Sequence, residues 1–187
     1  MTTLTSPLPL AATASIIASA WASGAGAAIS FFTITPILQS SAPREVLLQQ
    51  WHLAYNLGKS YMPPAAGAIA ASYLGVAWTV AKHPAQYGGG SGEWRGFAAA
   101  AALMVGIVPF TLLFIMRTIR ELEGLMIAGD AKDTDSNTRE SDRDEVQAME
   151  EARRLLTRWS RLNFARAMLP LIGTGFAVWN LSKVLSA

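Results

Sequence analysis

Two polar clusters stand where an otherwise apolar chain accommodates them least. The first runs from Gln49 to Tyr61 and reads QQWHLAYNLGKSY. On a helix, Trp51, Tyr55 and Lys59 fall on one face at i, i+4 and i+8, with His52 and Asn56 beside them. Such a strip would combine a flat aromatic surface, a proton acceptor, a phenol, an amide and a cation. Trp and Tyr also collect at the membrane–water boundary and Lys snorkels to it, so the strip serves equally as an interfacial anchor. The second cluster runs from Trp159 to Pro170 and reads WSRLNFARAMLP. Asn163 and Arg166, three apart, share a helix face. Beyond Arg166 the chain is apolar, save for Thr174, until Asn180, which carries the guanidinium into a membrane. A charge there costs about 2.5–3.5 kcal/mol at full depth, so it faces a bundle interior or snorkels out. Pro170 offers no N–H to the Arg166 carbonyl, which predicts a kink there with that carbonyl free.

The residue inventory removes other chemistries. With no cysteine there is no thiolate nucleophile, disulfide framework, iron–sulfur cluster or cysteine-based zinc site. The histidines are His52 and His83 alone, too few for a histidine-rich metal site, and His83 stands before Pro84 as a loop residue. Nucleotide-binding glycine patterns, a P-loop, a Gly-x-Ser-x-Gly elbow and a His-Glu-x-x-His pair are all missing. We therefore expect no metal, haem or flavin, hence no cofactor.

The elements that must position these clusters are membrane helices. Of 187 residues, 51% are hydrophobic and 15% charged, against about a quarter charged in soluble domains. Met1 to Pro43 holds no ionisable side chain, nor does Gly96 to Met116, whereas Arg117 to Arg161 crowds 9 Lys/Arg with 11 Asp/Glu. The net charge of +2 is thus no basic footprint for nucleic acid. A crossing needs about 20 mainly apolar residues. Four stretches qualify, at about 9–37, 62–81, 97–116 and 164–185, in one membrane domain over 1–187. The first lacks a basic leader and exceeds a signal-peptide core, so it is read as a retained span. Small residues recur every fourth position in each: Ala20, Gly24 and Ala28; Gly67, Ala71 and Gly75; Ala98, Ala102 and Gly106; Gly173 and Ala177. Close backbone contact through such residues drives helix association in lipid, which predicts a compact bundle packed along these stripes.

The polar segment over 130–145, which includes AKDTDSNTRESDRD from Ala131 to Asp144, reads as a solvated or disordered loop. From Glu145 onward Val146, Met149, Leu155, Leu156, Trp159 and Leu162 recur at helical spacing, an amphipathic interfacial helix leading into the fourth span. Tyr87 to Gly92 is a flexible turn. Eleven Lys/Arg flank the membrane on the side of Arg44, Lys59 and the long loop, against Lys82, Arg95 and Lys183 on the other. The positive-inside rule places the richer side in the cytosol and both termini opposite. The fold class is all-α: an integral membrane four-helix bundle.

Several motifs now point to a family. They are Trp51 with Tyr55, Gly58 and Lys59 leading into Pro63-Pro64; Val108-Pro109-Phe110-Thr111 in the third span; and Trp159 with Leu162-Asn163, Arg166, Leu169-Pro170-Leu171 and Gly173. Over nearly the whole chain this order resembles the small four-helix membrane proteins that include the fungal anthrone oxygenases of aromatic polyketide biosynthesis. The chain departs from that pattern at Arg117-Thr118-Ile119-Arg120, where the family tends to a Pro-Thr-Asn type of turn. The resemblance implies oxidation of an anthrone to an anthraquinone by molecular oxygen without a cofactor, in an endomembrane such as the endoplasmic reticulum. An anthrone loses a methylene proton to give an electron-rich anion that reduces oxygen directly. His52 is then the candidate base, with Arg166, Asn163 and Lys59 as oxyanion stabilisers and Trp51, Tyr55, Asn56 and Trp159 as the substrate slot. The partners are a hydrophobic polyketide, O2 and the bilayer, and assembly as a homo-oligomer stays open. Two other classes compete: a membrane scaffold that recruits pathway enzymes through its charged loop, and a transporter. A transporter more often repeats its spans, and no repeat is visible here.

Overall fold

The computed structural model describes residues 7–87, 92–132 and 140–186, and among them every long element is helical. α1 (Pro7–Ala28) continues through a π-helical turn (Ile29–Ile34) into the short α2 (Thr35–Gln39). α3 spans Arg44–Lys82, α4 spans Trp94–Phe110, and a second π-helical turn (Thr111–Ile115) joins α4 to α5 (Met116–Lys132). α6 runs unbroken from Glu140 to Ser186. Four stretches are long and apolar enough to cross a bilayer, Pro7–Gln39, Arg44–Lys82, Trp94–Ala128 and Glu145–Ser186, so this is a multi-pass membrane protein. Lipid offers no partner to backbone N–H and C=O groups, and a helix satisfies them within one segment. That is why alanine-rich sequence such as Ala98–Ala102 becomes helix here.

Each helix outruns the span expected for it, and the polar segment is shorter than expected. α5 extends through Lys132 and α6 begins at Glu140, so both ends of the supposed loop are helical. Residues 133–139 lie outside the described part of the chain. The amphipathic stretch leading into the fourth span turns its apolar face toward protein: Ala152, Leu155, Leu156 and Trp159 pack with Ile119 and Leu122 of α5 and Leu47, Leu48 and Trp51 of α3. A second core, around Tyr73, Phe97, Met104 and Val184, fills the far half of the bundle.

The stripes of small residues mostly face away from the bundle. Ala20, Gly24, Gly67, Ala71, Gly75 and Ala102 are exposed, and a Cβ added at Gly24, Gly67, Gly75 or Gly106 meets nothing within 4 Å. Gly173 and Ala177 behave as expected, with an added Gly173 Cβ only 3.2 Å from the Ala100 Cα, and Ala98 packs partly against the core. The seam between α1 and α6 is built on a hydroxyl ladder instead. Ser19 donates to the Pro170 carbonyl (3.1 Å), Ser23 to Ala167 (2.8 Å) and Ser30 to Ser160 (3.1 Å). At the buried Gly26 an added Cβ would stand 3.1 Å from the Ala167 Cβ, so its missing side chain brings the two helices together. Alanine and glycine gain little by facing protein rather than lipid, whereas a hydroxyl in hydrocarbon must find an acceptor. The serines therefore settle which face turns inward.

At the far end of the bundle, where α3 and α6 finish and α4 starts, each cation lies over an indole. Lys82 sits 4.9 Å from the Trp78 ring, Arg95 5.9 Å from Trp94 and Lys183 5.2 Å from Trp179. These pairs mark one membrane boundary.

Candidate active site

Every membrane-crossing helix carries a proline or a π-helical turn within its apolar stretch. The first carries its π-helical turn at Ile29–Ile34, α3 carries Pro63 and Pro64, the third carries Pro109 and the turn at Thr111–Ile115, and α6 carries Pro170. Proline removes a backbone donor and strains the turn before it, and a π turn inserts a residue, so helices part where these occur. A cavity of about 240 Å³ opens beside three of these features, with Ile29, Pro63 and Thr111 in its wall, between the two cores. α3 supplies Tyr55, Gly58, Lys59, Met62 and Pro63; the third helix supplies Ile107, Val108, Thr111, Leu112 and Met116; α6 supplies Trp159, Asn163 and Arg166; and Ile29 closes the back. Lys59, Pro63, Val108 and Leu112 are surface residues, so the mouth opens between α3 and the third helix. Arg166 stands 17 residues before Lys183, about 25 Å along a helix rising ~1.5 Å per residue. With Lys183 at one boundary and a hydrocarbon layer ~30 Å thick, the cavity lies just inside the opposite boundary and faces lipid.

One charged group projects from α6 into this mostly apolar wall. Arg166 donates through Nη2 to the Asn163 Oδ1 (2.6 Å) and through Nη1 to the Thr111 Oγ1 (3.3 Å). The Thr111 hydroxyl in turn donates a hydrogen bond to the Ile107 carbonyl (2.8 Å). Asn163 is 1% exposed and fully committed, because Nδ2 donates to the Gly26 carbonyl and to the Ser30 Oγ, both at 2.9 Å. With both N–H groups used, Asn163 has none left for an oxyanion, so its geometry is that of a clamp on Arg166. Two of the five guanidinium N–H groups are spent in these bonds and three remain.

The aromatic residues separate into two layers. Tyr55 and Trp159 line the cavity. Trp51 does not; it is wholly buried behind them, stacked on Tyr55 (5.6 Å between centroids, 6° between planes) and edge-on to Trp159 (6.0 Å, 86°). It therefore holds the slot's walls from behind and cannot stack on a ligand. Lys59 lines the mouth, its Nζ 5.7 Å from the Tyr55 centroid. His52 is half-buried beside Trp51 and does not line the cavity; its Nδ1 is enclosed without a partner among the described residues. Asn56 is exposed and also stands off the wall. Of the eight residues picked from sequence, the fold thus gathers Lys59, Tyr55, Trp159, Asn163 and Arg166, and leaves Trp51, His52 and Asn56 aside. Thr111 and Ser30 escaped selection; the signal for each was a hydroxyl set among apolar neighbours in a membrane helix. Among the described residues, no three His, Asp or Glu side chains converge as metal ligands.

Comparison with known proteins places this geometry in a lineage. The family profile of the anthrone oxygenases matches residues 51–176, which include every cavity residue contributed by α3, the third helix and α6. An anthrone oxygenase of Paecilomyces divaricatus is 29% identical over 170 residues, covering 88% of this chain and 94% of its own. One of Pestalotiopsis fici is 29% identical over 142 residues (76% of this chain, 89% of its own), and one of Claviceps purpurea 31% over 153 (81% and 76%). No solved structure matches. A profile that spans two-thirds of the chain and takes in nearly the whole wall of its membrane cavity shows that the chain belongs to the anthrone oxygenase family.

Proposed function

We propose that the cavity takes a polyketide-derived anthrone from the bilayer and converts it with O2 to the anthraquinone, with no flavin, haem or metal. The observation that carries the reading is Arg166: a guanidinium clamped by Asn163 and Thr111 in a mostly apolar, lipid-facing slot, with donors to spare. An anthrone carries one carbonyl opposite an acidic methylene. Loss of a methylene proton moves charge onto the carbonyl oxygen, where Arg166 meets it; preorganised donors act where charge develops. The anion then passes one electron to O2, the two radicals join at the former methylene carbon, and the peroxide takes up a proton. Loss of water, with the remaining hydrogen on that carbon, gives the second carbonyl. One anthrone and one O2 thus yield one anthraquinone and one water.

The proton acceptor in this scheme is the side chain of Lys59, which lines the cavity mouth, since His52 does not line the cavity and the Asn163 amide is no base. Tyr55 and Trp159 flank the flat ring system. The membrane is an endomembrane such as the endoplasmic reticulum, where an apolar polyketide partitions and O2 is more soluble than in water. Aerobic incubation of purified protein with a hydroxylated anthrone tests the reading. Quinone formation faster than in a detergent blank, with one O2 consumed per quinone and no effect of a chelator, supports it; a rate equal to the blank rejects it.

A further inference from the structure

Outside the cavity, α6 carries four arginines within nine residues, and the structure sorts them. Arg153 donates to the Leu38 and Ser40 carbonyls, closing the end of α2. Arg154 pairs with Glu151 at 2.6 Å. Arg158 and Arg161 are exposed and, among the described residues, make no hydrogen bond or ion pair. They flank an open groove whose floor includes Thr157 and Leu162. The Thr157 hydroxyl is bound to the Arg153 carbonyl, so the groove's spare polar capacity is cationic.

Depth identifies the occupant. Counted from Lys183, whose ammonium over Trp179 marks the far boundary, Arg161 lies 22 residues away and Arg158 lies 25. At ~1.5 Å per residue these are about 33 and 37 Å. The hydrocarbon layer ends at about 30 Å, and the headgroup layer beyond it is about 5–7 Å deep. Both guanidinium groups therefore stand at the level of lipid phosphates. One turn nearer the membrane centre, Phe164 meets Phe31 edge-on at 5.1 Å, with Phe32 exposed beside it, an aromatic surface at acyl-chain depth. The cations at the other boundary are different in kind, each already lying over an indole.

We propose that Arg158 and Arg161 bind the phosphodiester of an anionic phospholipid in the leaflet on the loop side, with its chains against Phe31, Phe32 and Phe164. Two planar donor forks over an aliphatic floor suit a phosphate oxygen pair, and the cytosolic leaflet supplies the anionic lipid. The site is independent of the cavity and of its chemistry.

The test uses native mass spectrometry and thermal unfolding of the purified full chain, with phosphatidylserine, phosphatidylcholine of the same chains, or inorganic phosphate added. We expect retained phosphatidylserine and a raised Tm with that lipid alone. Near an anionic surface each arginine contributes about fivefold, so Arg158→Gln with Arg161→Gln should lower the preference about 25-fold. Arg158→Lys with Arg161→Lys, which keeps the charge should the glutamine pair misfold, should retain most of it, and Lys82→Gln with Lys183→Gln should change nothing. Equal retention of the two lipids, a preference that survives in the glutamine pair, or a Tm rise reproduced by inorganic phosphate would each overturn the proposal.

Discussion

Arg166 is held at two points by side chains and faces an apolar space with its remaining donors, and this arrangement separates anchoring from chemistry. A snorkelling cation would tolerate lysine, which reaches the interface equally well. A planar fork held by Asn163 and Thr111 would not, since a single ammonium cannot meet both partners and an oxyanion. Loss of a preorganised donor costs about 10²–10³ in rate, so Arg166→Lys is expected to lower kcat at least about tenfold, measured on protein that inserts and purifies normally. Asn163→Ala should act in the same direction by freeing the guanidinium, and wild-type turnover in both would move the site elsewhere. Lys59 admits a sharper comparison. Arginine at 59 keeps the charge but cannot give up its proton. Lys59→Arg and Lys59→Gln should therefore both lose about 10²-fold if the amine is the base, whereas His52→Gln should stay near wild type. Activity retained in Lys59→Arg would leave Lys59 a purely electrostatic role. Asn163 and Arg166 were legible as a pair because three residues on one helix impose their proximity. Their partners Ser30 and Thr111 stand 133 and 55 residues away in the chain, and no local spacing reports such a contact.

At the scale of elements, what matters is which helix faces meet. The four-residue stripes of alanine and glycine turn mostly outward in the first helix and α3 and are mixed in α4, because small apolar side chains are nearly as content against lipid as against protein. The glycines now separate into two groups with opposite expectations. A methyl at Gly173 would press 3.2 Å from the Ala100 Cα and 3.3 Å from its carbonyl oxygen, backbone atoms that can yield only by moving the helices apart. At Gly96 it would land 1.7 Å from the Asn180 Nδ2, displacing the side chain that bonds the Phe176 carbonyl. Thermal unfolding in detergent should show Gly173→Ala and Gly96→Ala destabilised by about 1–3 kcal/mol, the usual cost of overpacking. Gly67→Ala and Gly75→Ala meet open space and should be neutral or stabilising by up to about 1 kcal/mol, from helix propensity. Destabilisation of the second pair would mean that those faces are covered by another chain.

For the whole molecule, the site depends on how the bundle sits in the bilayer. The cavity mouth lies near the boundary on the loop side, and the three cation–indole pairs lie at the other. A chain free of cysteine suits single-cysteine labelling, because every signal comes from the introduced thiol. We expect a membrane-impermeant maleimide to reach Ser136→Cys from the cytosolic side of sealed vesicles, and Ser91→Cys only after permeabilisation. The reverse pattern would invert the topology and put the cavity mouth, and the two free arginines, in the opposite leaflet.

The sequence alone determined that the chain is a set of membrane helices, and the reason is local: long apolar runs in lipid have helix as their means of pairing backbone groups within one segment. It likewise determined that Arg166 enters the membrane with Asn163 beside it, since both lie on one helix. Only the tertiary structure decided the rest. It brought Ile29, Pro63, Thr111 and Arg166 of four separate helices into the wall of one cavity. It chose the serine face of α1 for the seam with α6, where hydroxyls find carbonyl acceptors, over the glycine face that the spacing favoured. It set Trp51 behind the wall and left His52 and Asn56 off it, because a residue's bearing on its helix does not say what the neighbouring helix covers. Such contacts join residues far apart in sequence, and their energies depend on all four helices at once.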